Sequence, residues 1–399
     1  MKFIDFVRES TLKKEDVERF LDPKASNWAK FDPEVGYTLN NYMPRDGLDK
    51  SLTISTAQPN GARTSCIYAH RPCRINTYGN SFTQCHQVSD HETWQEYLAA
   101  HLGEPIRNFG MGGFGVYQAY RRMLRTEVSA LRAEYIILYI WGEDHYRSLL
   151  RCRHVFTHRW AWKHASMFHG NFWANLELDL DSGKFVERDN MLPTPESLYR
   201  MTDPDFMVNA VKDDWMLQMM AFVQDATEDV DIKNLNRLAD VLGCAGIAGS
   251  ERTALQAQVR VVYDAYAFAA TRYILDRATA FADSHRKKLL VALYCPQVTR
   301  TMILGGPRYE QPVVDYLREK EFHYFDMNVA HVEDFKQFNL PVDQYMKRYS
   351  IGHYSPKGNH FFAFAIKDAI VEWLDPKPIT YRTDEQARID FDGYLPAER

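Results

Sequence analysis

The sequence predicts a doubly wound α/β sheet. Three observations carry the prediction. Strand-like and helix-like runs alternate over residues 74–141 and again over 287–373. The segment EYIILYIW, residues 134–141, is apolar without alternation, as a parallel strand covered on both faces must be. The helical runs between the strands carry start and stop residues of their own.

Taken in order, residues 1–70 are turn-rich. FDPEVGYTLNNYMPRDGLDKS and AQPNGARTS place Asp-Pro, Asp-Gly and Asn-Gly turns between short alternating runs. They predict a cover of short strands, not a separate domain. In INTYGNSFTQC, residues 75–85, an alternating run ends at Tyr78, a glycine follows, and a hydroxyl residue stands two positions later. SDHETWQEYLAAHLG opens with a capping box, Ser89 with Glu92, and Gly103 stops it. Trp94, Tyr97, Leu98 and Leu102 share one face of that helix. A short strand is expected at 105–109. The next helix repeats Tyr117, Tyr120, Leu124, Val128 and Leu131, and the strand 134–141 follows.

The alternation then breaks. Residues 151–287 open with a His- and Trp-rich segment and continue into a hairpin pattern, NLELDLDSGKFVE. Helical stretches are expected at 205–225, 230–242 and 251–285. The last of these is apolar around much of its circumference and reads as a buried helix or a dimer face. The sheet pattern resumes with KKLLVALYCP, a helix at 309–320 and FHYFDMN. The final helix carries Phe362, Ala365, Ile366, Ala369, Ile370 and Trp373, with Pro376 beyond it. The expected organisation is a cover segment (1–70), a sandwich domain in two pieces (71–150 and 288–376), a long, mainly helical insertion or cap (151–287), and a polar surface tail (377–399).

Charged residues are 25% and hydrophobic residues 45% of the 399, the proportions of a soluble globular protein. A net charge of -5 gives no basic footprint and argues against nucleic acid as a partner. No apolar run reaches the roughly 20 residues that a membrane span needs. The start, MKFIDFVRESTLKKEDVERF, has no apolar core of a signal peptide. Six cysteines, at 66, 73, 85, 152, 244 and 295, show no CxxC spacing and read as reduced thiols. A cytoplasmic protein with neither disulfide framework nor zinc site is the expectation, with no cofactor.

Three stretches could carry chemistry. In Gly79-Asn80-Ser81, Ser81 is either the cap of a helix or a nucleophile held at a strand-to-helix turn, where backbone N–H groups can receive an oxyanion. In NFGMGGFGVYQAY, glycines at 110, 112, 113 and 115 let backbone approach closely at a strand end. No Lys-Ser/Thr follows and GxGxxG is not matched, so this is not a phosphate loop. In GHYSPKGNHFF, Ser355 and Pro356 read as N-cap and first residue of the last helix. His353 then lies in the loop before that helix, and His360 one turn inside it.

These stretches, in this order on this pattern, resemble the SGNH (GDSL-like) hydrolase family. The resemblance covers roughly 71–150 and 288–374. It implies a flavodoxin-like three-layer α/β/α sandwich and a serine esterase or acyl hydrolase. Gly79-Asn80-Ser81 matches the first block, Gly113 the second-block glycine, and His353 the fifth-block histidine. By resemblance Ser81 is the nucleophile, His353 the base, and the N–H groups of Ser81 and Gly113 oxyanion donors. Two departures stand out. In YIWGEDHY, Glu143, beside Asp144, occupies the place of the third oxyanion donor, an Asn in the family. It could serve there only as a protonated acid. The acid expected two or three residues before His353 is replaced by Ser350 and Ile351. Asp326, Asp334 and Asp343 remain as sources of an acid, or the pair is a Ser-His dyad.

The favoured function is cleavage of a small-molecule or glycan acyl ester through a Ser81 acyl-enzyme. An O-acyltransferase on the same residues and a non-catalytic binding protein on this fold are the alternatives. RHVFTHRWAWKHASMFHG holds His154, His158, His164 and His169 but no HExxH pattern. It reads as an amphipathic segment near the mouth of the site, with Trp160, Trp162 and Trp173 packing or shaping a pocket, and not as a metal centre. Cys85 reads as packing, and homo-oligomerisation through the insertion is the expected mode if the chain associates.

Overall fold

The computed structural model describes residues 1–160 and 170–382. Five strands form the central sheet: β1 (Ile75–Tyr78), β2 (Ile106–Asn108), β3 (Tyr135–Ile140), β4 (Lys288–Leu293) and β5 (Tyr324–Asp326). All neighbouring pairs are parallel, in the order β2-β1-β3-β4-β5. This is the flavodoxin-like order, whose switch point lies between β1 and β3. Parallel neighbours need crossovers, and the crossovers lay helices on both faces. Along β3, Tyr135, Ile137 and Tyr139 face one layer and Ile136, Leu138 and Ile140 the other. That is why EYIILYIW shows no alternation of polarity.

The first layer pairs α2 (Trp94–Leu102) with the last helix, α7 (Pro356–Trp373), around Trp94, Leu98, Phe362 and Ile366. On the opposite face lie α3 (Val116–Glu127), α5 (Arg252–Ser284) and α6 (Gln311–Glu319). α5 packs on α3, α6 and β4. It is therefore the crossover helix between β3 and β4 and belongs to the sandwich layer. Its apolar circumference follows, since Val259, Val262, Ile274 and Leu275 are buried between the sheet side and the helices Trp215–Val223 and Ile232–Leu242. The described residues of 151–251 include the helix His154–Trp160, those two helices, the helix Pro204–Val211 and the antiparallel hairpin Asn175–Asp179 with Lys184–Arg188.

The first 21 residues depart from the expected short strands. They form two helices, Phe3–Glu9 and Lys14–Leu21. Phe3, Phe6 and Val7, and then Val17 and Phe20, fall on single helical faces and pack near Pro204–Val211 and the 3-10 turn Glu196–Thr202. Two turns each are too short for a periodic stripe to stand out in sequence. A hairpin, Ala29–Asp32 with Gly36–Leu39, follows. Among the described residues no helix is long and apolar enough to cross a membrane.

Candidate active site

β1 ends at Tyr78, and the chain turns sharply into the single-turn helix α1 (Ser81–Gln84). Gly79 makes the turn with φ +152; a Cβ there would lie 2.2 Å from Thr83 Oγ1 and 2.7 Å from Tyr139 O. The cap of α1 is Asn80, whose Oδ1 accepts from Phe82 N at 2.7 Å. Asn80 Nδ2 donates to the buried carboxylate of Asp144. Ser81 is thus freed from capping. Its Oγ lies 2.8 Å from Nε2 of His353, and both residues are half-buried.

The turn after β2 is docked onto α1. Met111 N donates to Gly79 O at 3.0 Å, and Gly112 N to Gln84 Oε1 at 2.8 Å. Gly110 must be glycine because a Cβ would stand 2.2 Å from Gln84 N. Gly113 is left-handed, φ +83. Neither Ser81 N nor Gly113 N has a hydrogen bond among the described residues. Both are free backbone donors, and Ser81 N belongs to the residue whose hydroxyl faces the imidazole.

On its other side His353 meets Gln87. Gln87 Oε1 lies 3.0 Å from His353 Nδ1 and accepts from His353 N at 2.8 Å. Gln87 Nε2 donates to Asp46 O at 3.1 Å. None of the three carboxylates named as sources of an acid takes this place. Asp326 pairs with Arg308 and caps the helix Met327–Phe335, Asp334 accepts from Tyr345 and Tyr349, and Asp343 pairs with Arg300. Burial, with the His86 ring 5.0 Å away and the Arg147 cation, pushes the His353 imidazole down to about 3 against the attraction of Asp46. Asp46 is itself 3.4 Å from His86 Nε2, and the bonds from His86 and Thr53 outweigh its burial and hold it below the ordinary value.

Glu143 is not available as a neutral donor. Its half-exposed carboxylate accepts from Arg147 Nη2 at 2.6 Å and from Tyr146 OH at 2.8 Å. Burial opposes ionisation, but Arg147 and Tyr146 hold the group below the ordinary range. Asp144 behaves oppositely. Burial drives it up to about 6 in spite of Arg147, the Trp141 N–H and Asn80. A cavity of about 290 Å³ opens beside Glu143, walled by Tyr146, Phe156, Tyr263 and Phe268. Neither Ser81 nor His353 lines it.

The remaining sequence candidates lie elsewhere. His154 is buried with Nε2 on Ser10 O at 2.8 Å, and His158 is exposed. Among the described residues no group of three His, Cys, Asp or Glu is placed to hold a metal. His164, His169 and Trp162 fall outside the described residues, as does the side chain of Trp160; Trp173 is buried and donates to Leu150 O. Cys85 is a buried thiol pushed up to about 12 by burial. His360 is exposed against Tyr97 and His101. Gln87, His86, Asp46 and Arg147 carried no sequence signal as parts of the site. Only the position of His86-Gln87 just after α1 could have drawn attention.

No family model matches the chain, and no curated protein does. Among solved structures it is similar to a member of the lipolytic protein G-D-S-L family from Veillonella parvula. That likeness has 11% identity and a TM-score of 0.35, covering 74% of this chain and 97% of the other. It is also similar to a putative lipolytic protein of the G-D-S-L family from Desulfitobacterium hafniense, at 9% identity and a TM-score of 0.32, covering 74% and 99%. Likenesses this distant carry no weight for the chemistry, which rests on the geometry of the site.

Proposed function

We propose that this protein is a serine hydrolase of the SGNH type that cleaves an ester or acyl bond through a Ser81 acyl-enzyme. The observation that carries the reading is the 2.8 Å contact of Ser81 Oγ with His353 Nε2, at the carboxyl end of β1. Ligands of open α/β sheets bind at that edge, and here the switch point coincides with the serine. His353 Nε2 takes the hydroxyl proton as Oγ bonds to the carbonyl carbon. The carbonyl π electrons move onto oxygen, where the N–H groups of Ser81 and Gly113 receive the charge. Collapse re-forms the carbonyl and expels the alkoxide, which leaves with the proton from His353. Water then repeats the sequence and releases the acid. Arg147, held by Glu143 and Asp144, supplies positive charge near this centre where Glu143 cannot donate.

A fluorophosphonate probe tests the reading, since it forms an Oγ–P bond only with an activated serine. Intact mass should show one adduct on the wild type and none on Ser81→Ala or His353→Ala. Equal modification of wild type and Ser81→Ala would overturn it.

A further inference from the structure

We infer that Gln87 orients His353, so that a neutral side-chain amide stands where a Ser-His-Asp triad carries a carboxylate. The inference rests on the Ser81–His353 reading and adds the tautomer, the positioning residue and the pH range. A backbone N–H can only donate. The amide atom 2.8 Å from His353 N must therefore be oxygen, which fixes the orientation of Gln87. The other end agrees, since Gln87 Nε2 meets the carbonyl of Asp46. An amide oxygen carries no proton, so His353 Nδ1, 3.0 Å away, must carry one. A neutral imidazole has a single N–H. Nε2 is then bare and accepts from Ser81, the arrangement a general base requires.

The surroundings hold Gln87 to this task from both sides. Its backbone is left-handed, φ +71. The segment is gripped by buried Arg63, whose guanidinium donates to the carbonyls of Gln84, Cys85 and Val88, each at 2.6 Å, and to Asp90. Across the gap Gly352 lacks the Cβ that would stand 2.7 Å from Gln87 Oε1.

An amide fixes the imidazole but does not compensate an imidazolium. The charged and titratable groups facing His353 are His86, Asp46 and Arg147, and Asp46 is shared with His86. Asp46 alone favours the charged ring, and burial together with His86 and Arg147 outweighs it, so the base stays unprotonated in mildly acidic solution. A carboxylate at position 87 would favour the charged ring and shift its titration upward.

The test uses the full chain, ¹⁵N-labelled, in wild type, Gln87→Met and Gln87→Glu. Long-range ¹H–¹⁵N correlation reads the tautomer and titration of His353, assigned by difference against His353→Asn. Fluorophosphonate labelling of Ser81 from pH 4 to 8 reads reactivity. Wild type should show Nδ1–H and keep labelling well below pH 6. Gln87→Met should mix the tautomers and slow labelling about 10²-fold, the lower end of what a positioned base contributes. Gln87→Glu should keep Nδ1–H, raise the His353 titration and move the acid limb of labelling up by the same amount. An Nε2–H tautomer in wild type, or a Gln87→Met variant matching wild type in tautomer and rate, would overturn the assignment. If wild type shows the Nδ1–H tautomer yet never labels, the hydrolase reading fails and the orientation by Gln87 stands.

Discussion

Glu143 Oε2 accepts from Arg147 Nη2 at 2.6 Å on the turn that follows β3. The carboxylate is already engaged there, and Arg147 with Tyr146 holds it below the ordinary carboxylate range against its burial. Glu143→Gln should leave the rate of Ser81 labelling between pH 6 and 9 unchanged in shape. Its magnitude should move by no more than about fivefold, equivalent to the ~1 kcal/mol that a half-exposed ion pair is worth. An alkaline decline present in wild type and abolished in the variant would mean that Glu143 is protonated after all.

The buried ion pair of Arg63 with Asp90, 2.8 Å, fastens the cover segment to the loop that carries Gln87. Removing one partner of a buried pair leaves the other uncompensated, at about 3–5 kcal/mol. Arg63→Met should lower the unfolding free energy in urea by that order. Arg63→Lys should restore little, because one ammonium cannot reach Asp90 and three carbonyls at once. A fully stable Arg63→Met protein would show that the loop is held by other contacts.

Gly352 is exposed, yet alanine there would press on Gln87 Oε1. Its φ of +121 also disfavours any L side chain. Gly352→Ala should therefore slow Ser81 labelling about tenfold or more while the melting temperature falls little, since the residue packs against no core. Undiminished labelling would show that Gln87 tolerates displacement.

The sandwich was legible in sequence because parallel strands covered on both faces and capped helices leave local patterns. Tyr135–Ile140 and Ser355-Pro356 are of that kind. Ser81 and His353, which lie in contact, stood out as candidates through their context, a glycine turn after a strand and a loop before a capped helix. Gln87 was not, because its role depends on a left-handed backbone, on Arg63 from another segment and on Gly352 some 265 residues later (266 separate Gln87 from His353). Arg147 was hidden likewise, since nothing in YIWGEDHYR says which acid its guanidinium claims. The helix Arg252–Ser284 was visible as a helix, but its place as the β3-to-β4 crossover is a fact of topology.

Asp144 gives the site a pH signature of its own in stability. It is buried, and burial drives its carboxyl up to about 6 from an ordinary value near 3.8. Between those values the native state holds a proton that the unfolded chain has released. Stability from this group is therefore complete below about pH 4 and is lost as pH rises through about 6. Carboxylates held low, such as Asp32 and Asp46, act in the opposite sense, so the wild-type curve alone does not isolate it. The difference between wild type and Asp144→Asn does. The asparagine carbonyl can still accept from Asn80 and the Trp141 N–H, while its NH2 faces Arg147 without a proton to titrate. Urea unfolding at pH 4.5 and 7.0 should show wild type losing about 2 kcal/mol more than the variant across that interval, at ~1.36 kcal/mol per pH unit. Identical changes in both proteins would mean that Asp144 is ionised throughout, with Arg147 outweighing its burial.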